Sequence, residues 1–373
     1  MRIGIDYRPV TISPYSGIGR QVLAMEEVLR ARPQTTLELF SACPPGHPHR
    51  DIAHCPDSAI PVYRLHRPLP RWRFESQFLP AEVADLGLDL YIATANAGLP
   101  LGHKPANARY ALLLHDVFQL TLDNRHRSWM TALAYRNLDR FAIGHSVKVA
   151  DVIWTPSRYT ASEVARLFPE HSAKLRVLPN CVSFHNGAAP PPELAAALPE
   201  GRYWLLVGTW EPRKNTTFFL DCLANARAHA VNGTEFPEVV IVGSPEDLAE
   251  RHRHTPGVRF LNRLDDHSLQ ALYARAECFW HPAYAEGFGL PVVEALRNGT
   301  PVAVAHGSAL DEVTPPGAVR FDPEDHEEVA ALILELAAKP PTREPERWRE
   351  WAEHFGPEPY AQRLNNLLHE LAA

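Results

Sequence analysis

The stretch Tyr284-Ala285-Glu286-Gly287-Phe288-Gly289-Leu290-Pro291-Val292-Val293-Glu294-Ala295-Leu296 decides how the chain is read. An apolar run of strand length, Cys278–Pro282, leads into it. An apolar-periodic helix with Pro291 in its first turn leads out, a position where proline fits because its missing N–H is not needed. The glycines between them allow positive φ and a close backbone approach to a ligand. Amides at a helix start can hold an anion. Glu286 and Glu294 flank the junction eight residues apart, and carboxylates accept from sugar and ribose hydroxyls. One acid in such a loop can equally be a solvated side chain or a partner of the helix dipole. The whole string reads as a ligand loop.

A second junction of the same kind lies upstream. Val207-Gly208-Thr209-Trp210-Glu211-Pro212-Arg213-Lys214-Asn215 runs from a strand end, through a short turn, to two adjacent cations at a helix start. Cations there oppose the helix dipole, so local sequence gives no reason for them. A diphosphate would supply one, with arginine offering a fork to phosphate oxygens and lysine a point charge.

Around these junctions, short apolar runs alternate with longer amphipathic stretches, the pattern of parallel α/β sheets. Strands are expected at Arg2–Asp6, Leu37–Ala42, Leu90–Thr94, Ala111–His115, Val152–Thr155 and Leu175–Leu178, then at Tyr203–Gly208, Val239–Gly243, Val258–Asn262, Cys278–Pro282 and Pro301–Ala305. The Pro-, Gly- and Ala-rich stretch 185–201 reads as a linker between an N-terminal domain, 1–184, and a C-terminal domain, 202–356. The last segment, 357–373, is expected as a helix packing back on the first domain. Ligands of such sheets bind where strand ends lead into helices, and two such domains set face to face would share a cleft.

Composition narrows the function. The 373 residues are 45% apolar and 22% charged, enough for two ordinary cores. No apolar run reaches the roughly 18 residues of a membrane span, and the N-terminus lacks the pattern of a signal peptide. Five scattered cysteines form no CxxC pair, which argues against a zinc site and fits a reducing cytoplasm. Residues 1–180 hold 21 Lys+Arg and 16 Asp+Glu, and residues 181–373 hold 16 and 28. That asymmetry suggests different partners for the two halves, or merely an uneven solvated surface. Negative net charge with only short basic stretches speaks against nucleic acid. No Asp-x-Asp or His/Asp cluster calls for a divalent metal, so no metal is expected.

Taken together, these motifs resemble the family 4 retaining glycosyltransferases of the GT-B fold, whose two Rossmann-like domains face each other across a cleft. The likeness covers nearly the whole chain and is strongest from Val207 to Val313. Glu286 through Glu294 matches the family's E-x7-E motif, and Val207–Asn215 its phosphate loop. Gly299–Val302, Ser308–Val313, Ser157-Arg158-Tyr159, Leu178-Pro179-Asn180 and Ser16-Gly17-Ile18-Gly19-Arg20 also match. The resemblance implies that Arg213 and Lys214 bind the donor diphosphate and that Gly208 opens their loop. It implies that Glu294 accepts from the nucleotide ribose. Glu286, with the amides of Gly287, Phe288, Gly289 and Leu290, would hold the donor sugar. His115, followed by Asp116, matches a histidine beside the reacting sugar, although a satisfied strand-end histidine would read the same way. Gly17 and Gly19 would let the first loop approach the donor. The chain departs from the family at Thr209, often arginine, at Ala283, often serine, at Arg297-Asn298, often small, and at Cys181, often glycine.

The resemblance further implies transfer with retention and no required cofactor beyond a nucleotide-sugar donor. Glu-Pro-Arg-Lys-Asn (211–215) and Arg73–Pro80 are similar to bacterial mannosyltransferases of polysaccharide assembly. That favours GDP-mannose or a related GDP-sugar such as GDP-rhamnose, with a UDP- or dTDP-sugar as the alternative donor. The acceptor would be a glycan or a lipid-linked glycan. Arg64–Arg73 interleaves cations with Leu69 and Trp72 and could meet an anionic membrane surface from the cytoplasmic side, as could Arg125–Met130. A sugar-nucleotide epimerase and a non-catalytic nucleotide-sugar-binding subunit share the expected architecture. The first would need acid–base carboxylates at the sugar ring; the second would bind donor and transfer nothing.

Overall fold

The structure, a computed structural model, describes residues 1–57, 61–64, 67–122, 129–183, 198–262 and 264–372. The chain divides into two compact units: Met1–Cys181 with Tyr360–Ala373, and Val182–Pro359. Most of the expected linker 185–201 lies outside the described residues, as do Leu65 and His66 of Arg64–Arg73 and residues 125–128 of Arg125–Met130.

The first unit holds six parallel strands: β1 (Arg2–Asp6), β2 (Thr36–Phe40), β3 (Leu90–Ala93), β4 (Arg109–Leu113), β5 (Val152–Thr155) and β6 (Leu175–Val177). Their order is β2-β1-β3-β4-β5-β6. β3 and β5 are buried along their whole length, as strands of a sheet covered on both faces must be. Helices such as Gly17–Ala31 and Arg158–Leu167 cover the sheet. Ser157 caps the second of these by accepting from the Thr160 amide. Tyr360, Leu364, Leu367 and Leu368 of the C-terminal helix Pro357–Ala372 join the same core as Ile3, Ile5 and Trp154.

In the second unit the strands are β7 (Tyr203–Val207), β8 (Glu238–Val242), β9 (Val258–Leu261), β10 (Cys278–His281), β11 (Val302–Ala305) and β12 (Val319–Phe321). The order is β12-β11-β10-β7-β8-β9, again all parallel. Numbered within its own unit, this sheet runs 3-2-1-4-5-6 and the first runs 2-1-3-4-5-6. These are the two common doubly wound orders, and they place the point where the winding reverses differently. It falls between β1 and β3 in the first unit and between β7 and β10 in the second. Both sheets are Rossmann-like.

Sequence patterning does not predict every element. β12 is a three-residue edge strand, too short to show a period. Helix Pro345–Glu353 begins on a proline at its first position. Pro68–Arg73, Phe74–Phe78 and Leu79–Asp85 form one helical run, widened to π geometry over Phe74–Phe78. The widening has a local cause. The ring of Pro80 would clash with the carbonyl four residues back, at Ser76, in ordinary α geometry.

Candidate active site

In the second unit the loops after β7 and β10 leave adjacent strands at the reversal point, where ligands of open α/β sheets bind. They are stitched together. The Tyr284 amide donates to the Arg213 carbonyl at 3.1 Å, and Arg213 Nη1 donates to the Ala285 carbonyl at 3.0 Å. Gly208 has φ +103°, a conformation only glycine takes without strain. A Cβ there would stand in ordinary contact with the stem of Lys214, at 3.4 Å, so the backbone angle and not crowding calls for glycine. Asn215, at φ +58°, turns the chain from the Pro212–Lys214 turn into helix Thr216–His229, and its side chain donates to the Pro323 carbonyl at 3.0 Å.

Glu286 is the hub of this junction. Its Oε2 lies 3.0 Å from Arg213 Nη1, and its Oε1 meets both Lys214 Nζ and His281 Nε2, the latter at 3.1 Å. Glu211 engages Arg213 from the other side, at 2.7 Å from Nη2. The two cations therefore have local partners after all, which the sequence around Pro212 does not reveal. Burial alone would push the Glu286 carboxyl up; Lys214, the His281 hydrogen bond and Arg213 outweigh it and hold the carboxyl well below its usual range. Burial pushes His281 down, opposed by Glu286, so the imidazole is neutral and donates from Nε2. His281 closes the apolar strand Cys278-Phe279-Trp280-His281; that polar end is the one signal by which sequence reasoning, which missed it, could have found it.

Glu294 sits in the first helix after the loop, Leu290–Arg297, and is buried. The Tyr273 hydroxyl donates to its Oε2 at 3.2 Å. Gly289 caps that helix at φ +96°, and a Cβ on it would stand 2.6 Å from Leu310 Cδ2. Gly287, Phe288 and Leu290 complete the junction, with Phe288 buried. The second unit thus gathers Gly208, Arg213, Lys214, Glu286, Gly287, Phe288, Gly289, Leu290 and Glu294 on one pair of neighbouring strand ends.

The remaining expected residues, His115, Gly17 and Gly19, lie in the first unit. His115 follows β4 and is buried. Its amide donates to Asn96 Oδ1 at 2.6 Å, and its Nε2 to the Thr94 carbonyl at 2.9 Å. A carbonyl only accepts, so the tautomer is fixed with the proton on Nε2. Burial pushes the imidazole pKa down to about 4, with the Thr94 bond pulling the other way. Gly17 and Gly19 open helix Gly17–Ala31. Gly19 has a reason within its own turn, because a Cβ there would sit 2.3 Å from the Ser13 carbonyl oxygen. Ser16 Oγ accepts from the Gly19 amide at 3.0 Å and caps the helix.

At the reversal point of the first sheet stand residues that sequence reasoning did not single out. Arg8 donates to both Asp6 oxygens, at 2.9 and 2.7 Å, and to Glu75 Oε1 at 3.2 Å. Thr94 Oγ1 donates to the Asp6 carbonyl at 2.7 Å. Asn96, at φ +61°, holds the His115 amide from the neighbouring strand end. The departures from the family pattern are accommodated locally. Thr209 donates to Asp247 at 2.6 Å and accepts from the Ser244 amide at 2.9 Å, tying the loop after β7 to the loop after β8. Cys181 exchanges two hydrogen bonds with the Gln21 amide group, at 2.8 and 2.7 Å. Arg297 pairs with Glu353.

Residues 196–355 match the family described as "Glycosyl transferases group 1". The chain is 29% identical over 255 residues to O-antigen chain mannosyltransferase B of Escherichia coli, covering 65% of this chain and 64% of that protein. It is 25% identical over 207 residues to O-antigen chain mannosyltransferase RfbU of Salmonella typhimurium, covering 54% and 55%. The matched stretches thus span less than two thirds of these relatives' own lengths. Among solved structures, sucrose-phosphate synthase from Thermosynechococcus elongatus superposes with a TM-score of 0.71 at 20% identity, over 100% of this chain and 99% of that one. The lipopolysaccharide outer core galactosyltransferase WaaB superposes with a TM-score of 0.62 at 15% identity, over 99% of each. Residues 196–355 therefore match a glycosyltransferase group 1 domain, and the chain has the GT-B fold of these solved structures.

Proposed function

We propose that this protein is a retaining glycosyltransferase that moves a hexose, mannose or a related sugar, from a GDP-sugar to a glycan acceptor in cell-surface polysaccharide assembly. The observation that carries the reading is the Arg213–Lys214–Glu286 cluster at the reversal point of a group 1 domain. The names of the relatives support the sugar and the pathway class.

The chemistry follows from what the residues can and cannot do. Glu286 is held ionised, so it has no proton to give as a general acid. Glu294 sits on the helix that starts from the same loop, so the two do not form a pair flanking a scissile bond from opposite sides. Both points weigh against a hydrolase or an epimerase. Arg213 and Lys214 would offset the charge that grows on the departing nucleoside diphosphate, the place where fixed charges lower a barrier most. The acceptor hydroxyl attacks the anomeric carbon on the face the diphosphate leaves. The new C–O bond forms as the old one breaks, and the hydroxyl proton passes to a phosphate oxygen of the leaving group. Glu286 and the amides of Gly287, Phe288 and Gly289 would hold the sugar hydroxyls, and Glu294 the ribose. No step needs a metal, and among the described residues no three His, Cys, Asp or Glu side chains are grouped to hold one.

The acceptor is a lipid-linked glycan in this reading, met at the cytoplasmic face of a membrane. No helix among the described residues is long and apolar enough to cross a membrane. Leu69 and Trp72, 58% and 51% exposed, stand beside Arg71 and Arg73 on helix Pro68–Arg73. Met130 and Phe141, both 62% exposed, stand on helix Trp129–Val149. A groove between the two is lined by Arg71, Trp72, Leu138 and Phe141. Exposed apolar side chains set among cations suit an anionic bilayer surface. Flotation with anionic liposomes should fall several-fold when Leu69, Trp72 and Phe141 are replaced by serine; unchanged flotation removes the membrane role.

The donor is tested by thermal shift against GDP, UDP, ADP and dTDP without metal, with Arg213→Ala as control. A ligand of the folded state stabilises it by mass action, by about 2.7 kcal/mol at a hundred times Kd, and so raises Tm. GDP should stabilise the wild type and not the variant. Stabilisation by UDP alone would replace the donor and keep the site. No response to any nucleotide would overturn the reading.

A further inference from the structure

The cations expected to bind the donor already hold an anion. Glu286 takes Lys214 and His281 on one oxygen and Arg213 on the other. Glu286 is thus a stand-in for the diphosphate: it neutralises two partly buried cations that would otherwise repel each other. When a diphosphate arrives, Arg213 and Lys214 must turn toward it. Glu286 then keeps its backbone place, where its carbonyl accepts from the Ala309 amide at 3.2 Å, but loses both charged donors. A buried carboxylate stripped of its donors is costly. It would take up a proton or swing out, and either change spoils it as an acceptor for sugar hydroxyls.

One donor on Glu286 is not a cation and has no reason to follow the phosphate. His281 is almost wholly buried at the end of β10, and its ring stacks on Phe279 with centroids 5.7 Å apart and planes 29° apart. Stacking and burial fix the imidazole plane, and with it the direction of the Nε2–H bond. Resting on the glycosyltransferase reading above, we propose that His281 is a positioning residue for the donor sugar: it stays on Glu286 while Arg213 and Lys214 transfer to the diphosphate, so the released carboxylate remains aimed at the sugar hydroxyls. The diphosphate then does two things at once. It binds the cations, and it exposes the carboxylate that recognises the sugar attached to it.

The test separates nucleotide from sugar. His281→Phe keeps an aromatic ring against Phe279 but has no donor, and His281→Gln restores an N–H at a similar reach. Kd is measured by calorimetry for GDP and GDP-mannose, and for UDP and UDP-glucose, with steady-state KM and kcat for the donor that binds. The expected result is that His281→Phe binds the free nucleotide within about twofold of wild type. Its affinity for the nucleotide-sugar falls about tenfold, the scale of a hydrogen bond to a charged group, and His281→Gln recovers most of that loss. If His281→Phe weakens nucleotide and nucleotide-sugar equally, or weakens neither, the positioning role is wrong while the donor site stands. If the wild type binds no nucleotide at all, the glycosyltransferase reading itself fails and this role falls with it.

Discussion

Replacing Glu286 with glutamine should abolish sugar transfer and at the same time tighten binding of the free nucleoside diphosphate. The two effects come from the two tasks the carboxylate performs. In transfer, glutamine cannot match a full charge against the electron-poor sugar, and loss of one such preorganised group costs about 10²–10³ in rate. In binding, the wild-type cations must first let go of a carboxylate 3.0 Å from Arg213 and in contact with Lys214. Glutamine is neutral and releases them without that competition, so GDP should bind about tenfold tighter, or about 1.4 kcal/mol. Without nucleotide the variant is the less stable protein. Lys214 loses its counter-ion and Arg213 keeps only Glu211, and breaking a wholly buried pair from one side costs about 3–5 kcal/mol, an upper bound for these partly buried cations. Saturating GDP should return most of that, so the Tm rise on adding GDP is larger in Glu286→Gln than in wild type. Weaker GDP binding in the variant would show that Glu286 supports the phosphate site and does not compete with it. Arg213→Ala should lose both binding and transfer, which separates the contributions of the carboxylate and the cation.

Much of this site is legible in the sequence because its signals are local. A strand end, a glycine at positive φ, a proline in the first helical turn and a charged residue at a fixed offset are all read within about a dozen residues, as at Gly208–Asn215 and Glu286–Glu294. The strands β1, β5 and β10 show their alternation with helices in the same way. What escapes is set by contacts between distant segments. The partnership of Lys214 with Glu286 spans 72 residues and exists because β7 and β10 are neighbours, a fact of sheet order that no window of sequence contains. His281 looks like an ordinary polar strand end until the loop after Pro282 folds Glu286 back over it. The same limit hides the winding of the first sheet, and with it the cluster of Asp6, Arg8 and Glu75 at its reversal point. Gly19 carries the opposite lesson. It suits a ligand-approach motif by its spacing, yet its own turn at Ser13 already forbids a side chain.

His115 should tie the stability of the first unit to pH. The imidazole is buried, donates to the Thr94 carbonyl and has its pKa pushed down to about 4, whereas in an unfolded chain it titrates near 6.5. The folded state therefore binds fewer protons than the unfolded state between these values. The stability this provides is fully present above about pH 6.5 and is lost as pH falls through that window toward 4. A shift of that size corresponds to about 3 kcal/mol by the acid end. In denaturant titrations from pH 7.5 to 4.5, wild type should lose about 2–3 kcal/mol more stability than His115→Asn, because asparagine has no proton to take up. Other buried groups, His281 among them, titrate alike in both proteins and cancel in the difference. Parallel pH profiles would mean that the folded His115 site takes up a proton at Nδ1 as readily as the unfolded chain does, and the lowered pKa would have to be abandoned. The same neutrality bears on chemistry. On the reading proposed above, a His115 that stays uncharged at pH 7 with its Nε2–H given to Thr94 can only accept at Nδ1 and offers no imidazolium, so the rate profile of the wild type should show no ionisation near 6.5 that disappears in His115→Asn.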